Sequence, residues 1–178
     1  MENSVEITNQ SEIARLRKIA NDIVMDTHHF NMDWVSKKRW FIIPSESGIT
    51  DEEATRLSAA CHTFGYSECF AIATEPKPLG PECYIFATTT HGILETSYEF
   101  EPNDHVFFPE DRGFAFLRPF GLYSLLAGPI EFVQIAVGSN IEIARKIFWE
   151  FANDSNWPEA DRSHLTSIAK KYEAISLS

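Results

Sequence analysis

Glu68-Cys-Phe-Ala-Ile-Ala-Thr74, Cys83-Tyr-Ile-Phe-Ala-Thr-Thr89 and Ile93-Leu-Glu-Thr-Ser-Tyr-Glu-Phe100 follow one another with no helix-length pattern between them. Each run is short and bounded by turn formers, the signature of a strand. Glu75-Pro76-Lys77-Pro78-Leu79-Gly80-Pro81 forms a stiff loop between the first two. His91-Gly92 reads as a two-residue turn that makes a hairpin of the last two. Glu95, Ser97 and Glu99 alternate with Leu94, Tyr98 and Phe100, so one face of that strand is expected to be wet and its pairing antiparallel. Residues 101–113 read as a loop with at most a short central strand. Phe114–Leu117 and Leu122–Leu126 form a further strand pair turned at Pro119-Phe120-Gly121.

Helices are expected on both sides of this β-rich middle. Ile13, Leu16, Ala20, Ile23 and Val24 recur at a spacing near 3.6 after Ser11, a suitable N-cap, and this helix ends between Asp26 and Asn31. Lys37-Lys38-Arg39 leads into a strand, Trp40–Ile43, stopped by Pro44. Thr50-Asp51-Glu52-Glu53 is a capping box for a helix that buries Ala54, Leu57, Cys61 and Phe64 and closes at Gly65. Pro129 and Gly138 bracket a short helix over residues 130–137. Ser139-Asn140-Ile141-Glu142 reads as a second capping box, opening a helix with Ala144, Ile147, Phe148 and Phe151 inside. Pro158 starts a last helix with Leu165, Ile168, Ala169 and Tyr172 inward. Consecutive strands flanked by helices define an α+β fold. The expectation is a single domain over residues 1–178, with 1–9 frayed: a mostly antiparallel sheet of about five to six strands with helices packed on it.

The 178-residue chain carries a formal charge of −11. Residues 40–111 alone hold 13 acids against two bases, Arg56 and Lys77. Such a field repels nucleic-acid phosphates and anionic lipid surfaces, and it speeds encounter with basic proteins. The one basic run, Lys37-Lys38-Arg39 near Trp34 and Trp40, is too small to reverse that. Cys61, Cys69 and Cys83 lie in apolar stretches without a CxxC pair, which fits reduced thiols in the cytoplasm. Met1–Glu6 lacks the apolar core of a signal peptide, and no apolar run approaches the roughly 18 residues of a membrane span.

Catalytic patterns are weak. Neither a phosphate-binding glycine loop nor a dinucleotide fingerprint is present. Gly65-Tyr66-Ser67-Glu68-Cys69 lacks the last glycine of a nucleophile elbow, and Cys61 and His62 point roughly 100° apart on a helix. His28 and His29 with Asp26 and Asp33, or His91 with Asp104 and His105, lack the spacing of known metal sites. Glu95 and Glu99, four apart in a strand, lie about 13 Å apart, too far for a carboxylate dyad. No catalytic residue, metal or cofactor is assigned.

The segment that stands out is residues 99–111. Glu99, Glu101, Asp104, Glu110 and Asp111 surround Phe107-Phe108, with Pro102 and Pro109 at the ends. Aromatic anchors ringed by carboxylates suit a protein-docking patch. In the competing reading both rings point inward. The leading functional expectation is a non-catalytic acidic module that docks on a basic protein and occludes it, as an immunity or antitoxin-type inhibitor does to a toxin such as a nuclease. A second expectation is a small-molecule pocket built from Thr88–Thr90, His91, Tyr98 and Tyr123. A third is a homo-oligomer paired through Phe-rich strands, since the chain has 14 phenylalanines.

Overall fold

The computed structural model describes residues 3–46, 48–75, 78–101, 103–119 and 121–173. In chain order its elements are β1 (Ser4–Glu6), α1 (Gln10–Ile23), β2 (Val24–Asp26), β3 (His29–Phe30), α2 (Met32–Lys38), β4 (Phe41–Glu46), α3 (Asp51–Thr63) and β5 (Glu68–Ala73). There follow β6 (Cys83–Ala87), α4 (Thr90–Glu99), β7 (His105–Phe108), β8 (Ala115–Arg118), β9 (Tyr123–Gly128), α5 (Ile130–Val137), α6 (Ile141–Ala152) and α7 (Glu159–Glu173). Seven strands form one sheet in the order β1-β6-β5-β7-β8-β9-β4, with every pair antiparallel. β2 and β3 form a separate ribbon.

Helices cover both faces of this sheet. Successive side chains of a strand point to opposite faces. Val106, Phe108, Ala115, Leu117, Leu125 and Ala127 accordingly join the core under α1, α2 and α7. Their neighbours Phe107, Phe116 and Leu126 join the core under α3, α4 and α5. This is why β7, β8 and β9 are buried along their whole length and are apolar on both faces apart from His105, Arg118 and Ser124. α6 lies along β4 and serves both cores, giving Phe148 and Ala152 to one and Ile141 and Ala144 to the other.

The largest departure from expectation is residues 90–99, which form a helix and not the second arm of a hairpin. Thr89 is its N-cap, accepting from the Gly92 N–H at 3.0 Å. Its buried stripe is Ile93, Thr96, Ser97 and Phe100, spaced i, i+3, i+4, i+7. Two of these four are hydroxyl residues, so hydrophobicity hides the helical period and leaves a false alternation in view. Gly92 is needed for close approach, because a Cβ there would overlap the Ala87 carbonyl at the end of β6. Gly92→Ala is expected to cost about 1–3 kcal/mol by forcing α4 off the sheet. Urea unfolding of the variant checks this.

Other differences are local. Residues 1–9 are not all frayed: Ser4–Glu6 pairs with Tyr84–Phe86. The N-cap of α1 is Asn9 and not Ser11, with its side chain accepting from the Ser11 and Glu12 amides. α2 was not anticipated, since seven residues are too few to display a period; Asn31 caps it and Arg39 closes it in a left-handed conformation (φ 54°). Pro44 does not stop its strand. It sits opposite Leu125 in β4, the last strand of the sheet, where a missing N–H breaks no ladder. The Thr50–Glu53 capping box forms as expected, with both reciprocal bonds. The second one does not: Asn140 alone caps α6, bonding the Ile143 amide at 2.8 Å. Ile147, expected inside, is 56% exposed.

Candidate functional site

The structure divides residues 99–111 into three places. Phe107 and Phe108 are core residues of β7, one on each face of the sheet, so neither ring is at the surface. Glu99 and Glu101 are exposed at the C-terminal end of α4. Asp104 is buried; its N–H donates to Glu75 Oε1 at 2.7 Å and its carbonyl accepts from the Thr74 amide at 2.8 Å. Glu110 and Asp111 lie beyond the other end of β7. Glu110 holds Arg15 through two hydrogen bonds of 2.7 and 3.0 Å, and Asp111 accepts from the Gly113 amide at 2.9 Å. The seven residues therefore do not make one patch. Pro102 lies outside the described residues.

What surrounds Glu99 instead is a two-helix surface. α3 and α4 pack side by side, with the Thr90 hydroxyl donating to that of Thr55 at 3.3 Å. Tyr98 is 64% exposed, the most exposed aromatic side chain among the described residues. Its neighbours on α4 are Glu95 and Glu99, and Asp51 and Glu52 are exposed at the start of α3. A strand reading had turned Tyr98 inward with Leu94 and Phe100, so this surface was invisible without the helix.

The fold also sorts charge between its two helical layers. α3, α4 and α5 carry six acids and one base, Arg56, which is already paired with Glu52 at 2.5 Å. α1, α2 and α7 carry six acids and eight bases. The helices of the first layer thus carry a charge of 1 − 6 = −5 and those of the second 8 − 6 = +2.

Two cavities adjoin the acidic layer. An apolar one of about 180 Å³ lies between β4, α3, α5 and α6, floored by Ile43, Phe116 and Leu126, with Glu53 and Arg56 at its rim. A polar one of about 200 Å³ opens where β7 begins and β8 ends, lined by Glu101, Asn103, His105, Arg118, Pro119, Gly121 and Gly48. His105 and Arg118 stand opposite each other in the β7–β8 register. The His105 ring stacks on Phe100, centroids 4.8 Å apart, and leans on Phe107 at 5.0 Å. Burial, aided by the Arg118 charge, lowers its pKa to about 3, so the ring is neutral. Burial also lowers the pKa of Arg118, opposed by the carboxylates of Glu101 and Glu53.

The pocket expected from Thr88–Thr90, His91, Tyr98 and Tyr123 does not assemble. Thr88 donates to the Tyr66 carbonyl at 2.7 Å, while His91 and Tyr98 are exposed on α4. Tyr123 belongs to the opposite core and donates to the His28 carbonyl at 3.2 Å. Among the described residues no group of three or more His, Cys, Asp or Glu could hold a metal ion. Cys61, Cys69 and Cys83 are free and buried, and burial pushes the Cys83 thiol up to about 12. Trp34 and Trp40 pack edge to face at 4.7 Å with Lys38 Nζ over both rings. β5, β7 and β8, rich in phenylalanine, are paired on both edges within the chain, which leaves them no edge for a second copy. No helix of the described residues is long and apolar enough to cross a membrane. Comparison with protein-family models, curated proteins and solved structures finds no match for this chain.

Proposed function

We propose that this chain is a non-catalytic binding protein of the cytoplasm that docks its α3–α4 face on a basic protein and occludes it, as an immunity or antitoxin-type inhibitor blocks a toxin such as a nuclease. The observation that supports this is the sorting of charge: the α3–α4–α5 layer is acidic and the opposite layer is not. A one-sided field orients a basic partner before contact and speeds its capture. Tyr98, 64% exposed among carboxylates, is the anchor, a residue type enriched at binding hot spots. Against a nuclease, the exposed Glu99, Asp51 and Glu52 would occupy the positions of substrate phosphates.

Immobilised chain in an extract of its own cells tests this. The wild type is expected to retain one basic protein at low salt and to release it at high salt. Tyr98→Ala with Glu99→Lys should weaken retention at least about tenfold, in line with loss of a hot-spot anchor. Lys37→Glu with Lys38→Glu, on the opposite layer, should leave it unchanged. Equal retention by the Tyr98/Glu99 variant and the wild type would overturn the proposal.

A further inference from the structure

The apolar cavity between β4, α3, α5 and α6 leaves part of an interior sheet face uncovered. Leu117 of β8 and Leu125 of β9, turned to the α1–α2–α7 side, are fully buried. Phe116 and Leu126, beside them in sequence and turned to the other face, keep 7% and 5% of their surface. Phe107, the register partner of Phe116 on β7, keeps only 1%. Phe116 and Leu126 floor the cavity with Ile43, and Leu57, Ala136 and Phe148 wall it from α3, α5 and α6. The apolar surface that these strands retain is therefore reachable in the empty cavity. Ile147, exposed on α6, and Glu46, exposed at the end of β4, stand at its mouth.

Water gains little in such a space. These floor and wall side chains are all apolar, and the β8 and β9 backbones are paired within the sheet. A water needs two to four polar partners, and one held without them is displaced by an apolar group at a gain in affinity. Apolar cavities of about 150 Å³ lined by leucine, isoleucine and phenylalanine take up benzene. The volume of about 180 Å³ here holds one ring, and the mouth lets a substituent reach solvent.

The rim sets the charge of the occupant. Glu53 Oε2 belongs to the α3 cap, accepting from the Thr50 amide at 2.9 Å and from its hydroxyl at 3.0 Å. Arg56 is paired with Glu52 at 2.5 Å. Glu46, Glu52 and Glu53 thus surround one guanidinium, a field that repels a ligand carboxylate. A charge of either sign carried down to the floor would lose its hydration without gaining a partner.

We propose that this cavity binds a small uncharged ring compound, aromatic or alicyclic, seated on Phe116 and Leu126 between Leu57 and Phe148. The site stands apart from the docking proposal, whose anchor is Tyr98, and each is tested without the other.

Calorimetric titration of the full chain with toluene, p-cresol and cyclohexanol, beside benzoate, tests it. Saturable one-site binding of at least one uncharged compound is expected, with Kd at or below about 1 mM, and benzoate should bind roughly tenfold more weakly or worse. In the methyl ¹H–¹³C spectrum, Ile43, Leu57 and Leu126 should move at saturation, and Leu117 and Leu125, on the other face, should move less. Ala144→Leu adds three carbons at the cavity lining and should weaken binding at least about tenfold. If that variant does not fold, the methyl shifts of the wild type decide. No binding of any of the three uncharged compounds up to about 5 mM, benzoate bound as tightly as they are, shifts centred on Leu117 and Leu125, or undiminished binding by folded Ala144→Leu would each overturn the assignment.

Discussion

Phe108→Ala is expected to destabilise the protein by about 3–5 kcal/mol and Phe107→Ala by a similar amount. β7 is the middle strand of the seven, and both rings are buried there. Phe108 is fully buried under α1, α2 and α7, with its ring tilted against Phe70 at 6.2 Å. Phe107 is buried on the other face and touches Phe86, His105 and Phe116, at centroid distances of 4.8, 5.0 and 6.0 Å. Truncating either removes the transfer free energy of a benzyl group and leaves a cavity that neighbours on two rigid strands cannot close. Domains of this size have roughly 5–15 kcal/mol in total. Each single variant should therefore melt roughly 10 °C or more below the wild type, and the double variant should be unfolded at room temperature. Differential scanning calorimetry reads this directly. A fall of less than about 1 kcal/mol in both single variants would mean that the two rings are not core residues. The same expectation bears on function: loss of partner capture in Phe107 or Phe108 variants would report unfolding, whereas Tyr98→Ala probes the surface without touching a core.

How far the sequence disclosed the fold depended on whether each element carried its own signal. α3 announced itself with a capping box, α5 with Pro129 and Gly138, and β8–β9 with two apolar runs around a turn. These are local devices that tertiary context leaves alone. α4 was lost because its buried stripe holds Thr96 and Ser97, and a period made half of hydroxyls is not hydrophobic. Pro44 misled for the reverse reason: a strand that no second strand flanks on one side tolerates a residue that an interior strand would reject.

The candidate surfaces were less legible, because both depend on pairing. The charge run of residues 40–111 was plain, but which carboxylates share a face was decided by α4 being a helix and by its packing on α3. Phe107-Phe108 looked like a surface anchor because five carboxylates surround it in sequence, and a sheet covered on one face only would still have left one of the two rings wet. Covering on both faces removes that choice. His105 and Arg118 are thirteen positions apart in sequence and become neighbours only through the β7–β8 register. No motif marks such a pair. The nearest signal was a polar residue at each outer end of an apolar run, His105 before Val106-Phe107-Phe108 and Arg118 after Phe116-Leu117. In a two-faced sheet that is where buried polar groups face the mouth of a cavity.

Between pH 7.0 and 4.5, His105→Phe is expected to lose about 3 kcal/mol less stability than the wild type. In the folded chain the His105 ring is held neutral until about pH 3, first by burial and then by the Arg118 charge; the Asn103 carbonyl, accepting from Nδ1, only partly opposes this. Its other neighbours, Phe100 and Phe107, are apolar and solvate no imidazolium. Unfolded, the same ring titrates near 6.5. Below 6.5 the unfolded chain therefore binds a proton that the folded chain refuses, and stability falls with falling pH by about 1.4 kcal/mol per unit. The decline ends near pH 3, where the folded ring protonates too, after a total of about 5 kcal/mol. Above 6.5 both states are neutral and the contribution is flat. Phenylalanine keeps the stack with Phe100 and Phe107 and removes the titration. It also leaves the Asn103 carbonyl without its donor, at a cost of about 1 kcal/mol that does not vary with pH. Carboxylates contribute equally to both proteins and cancel in the comparison. Urea unfolding at the two pH values, with equal slopes against denaturant, gives the difference. Parallel losses in wild type and variant would mean that His105 accepts a proton in the fold and that water or a mobile carboxylate reaches Nε2.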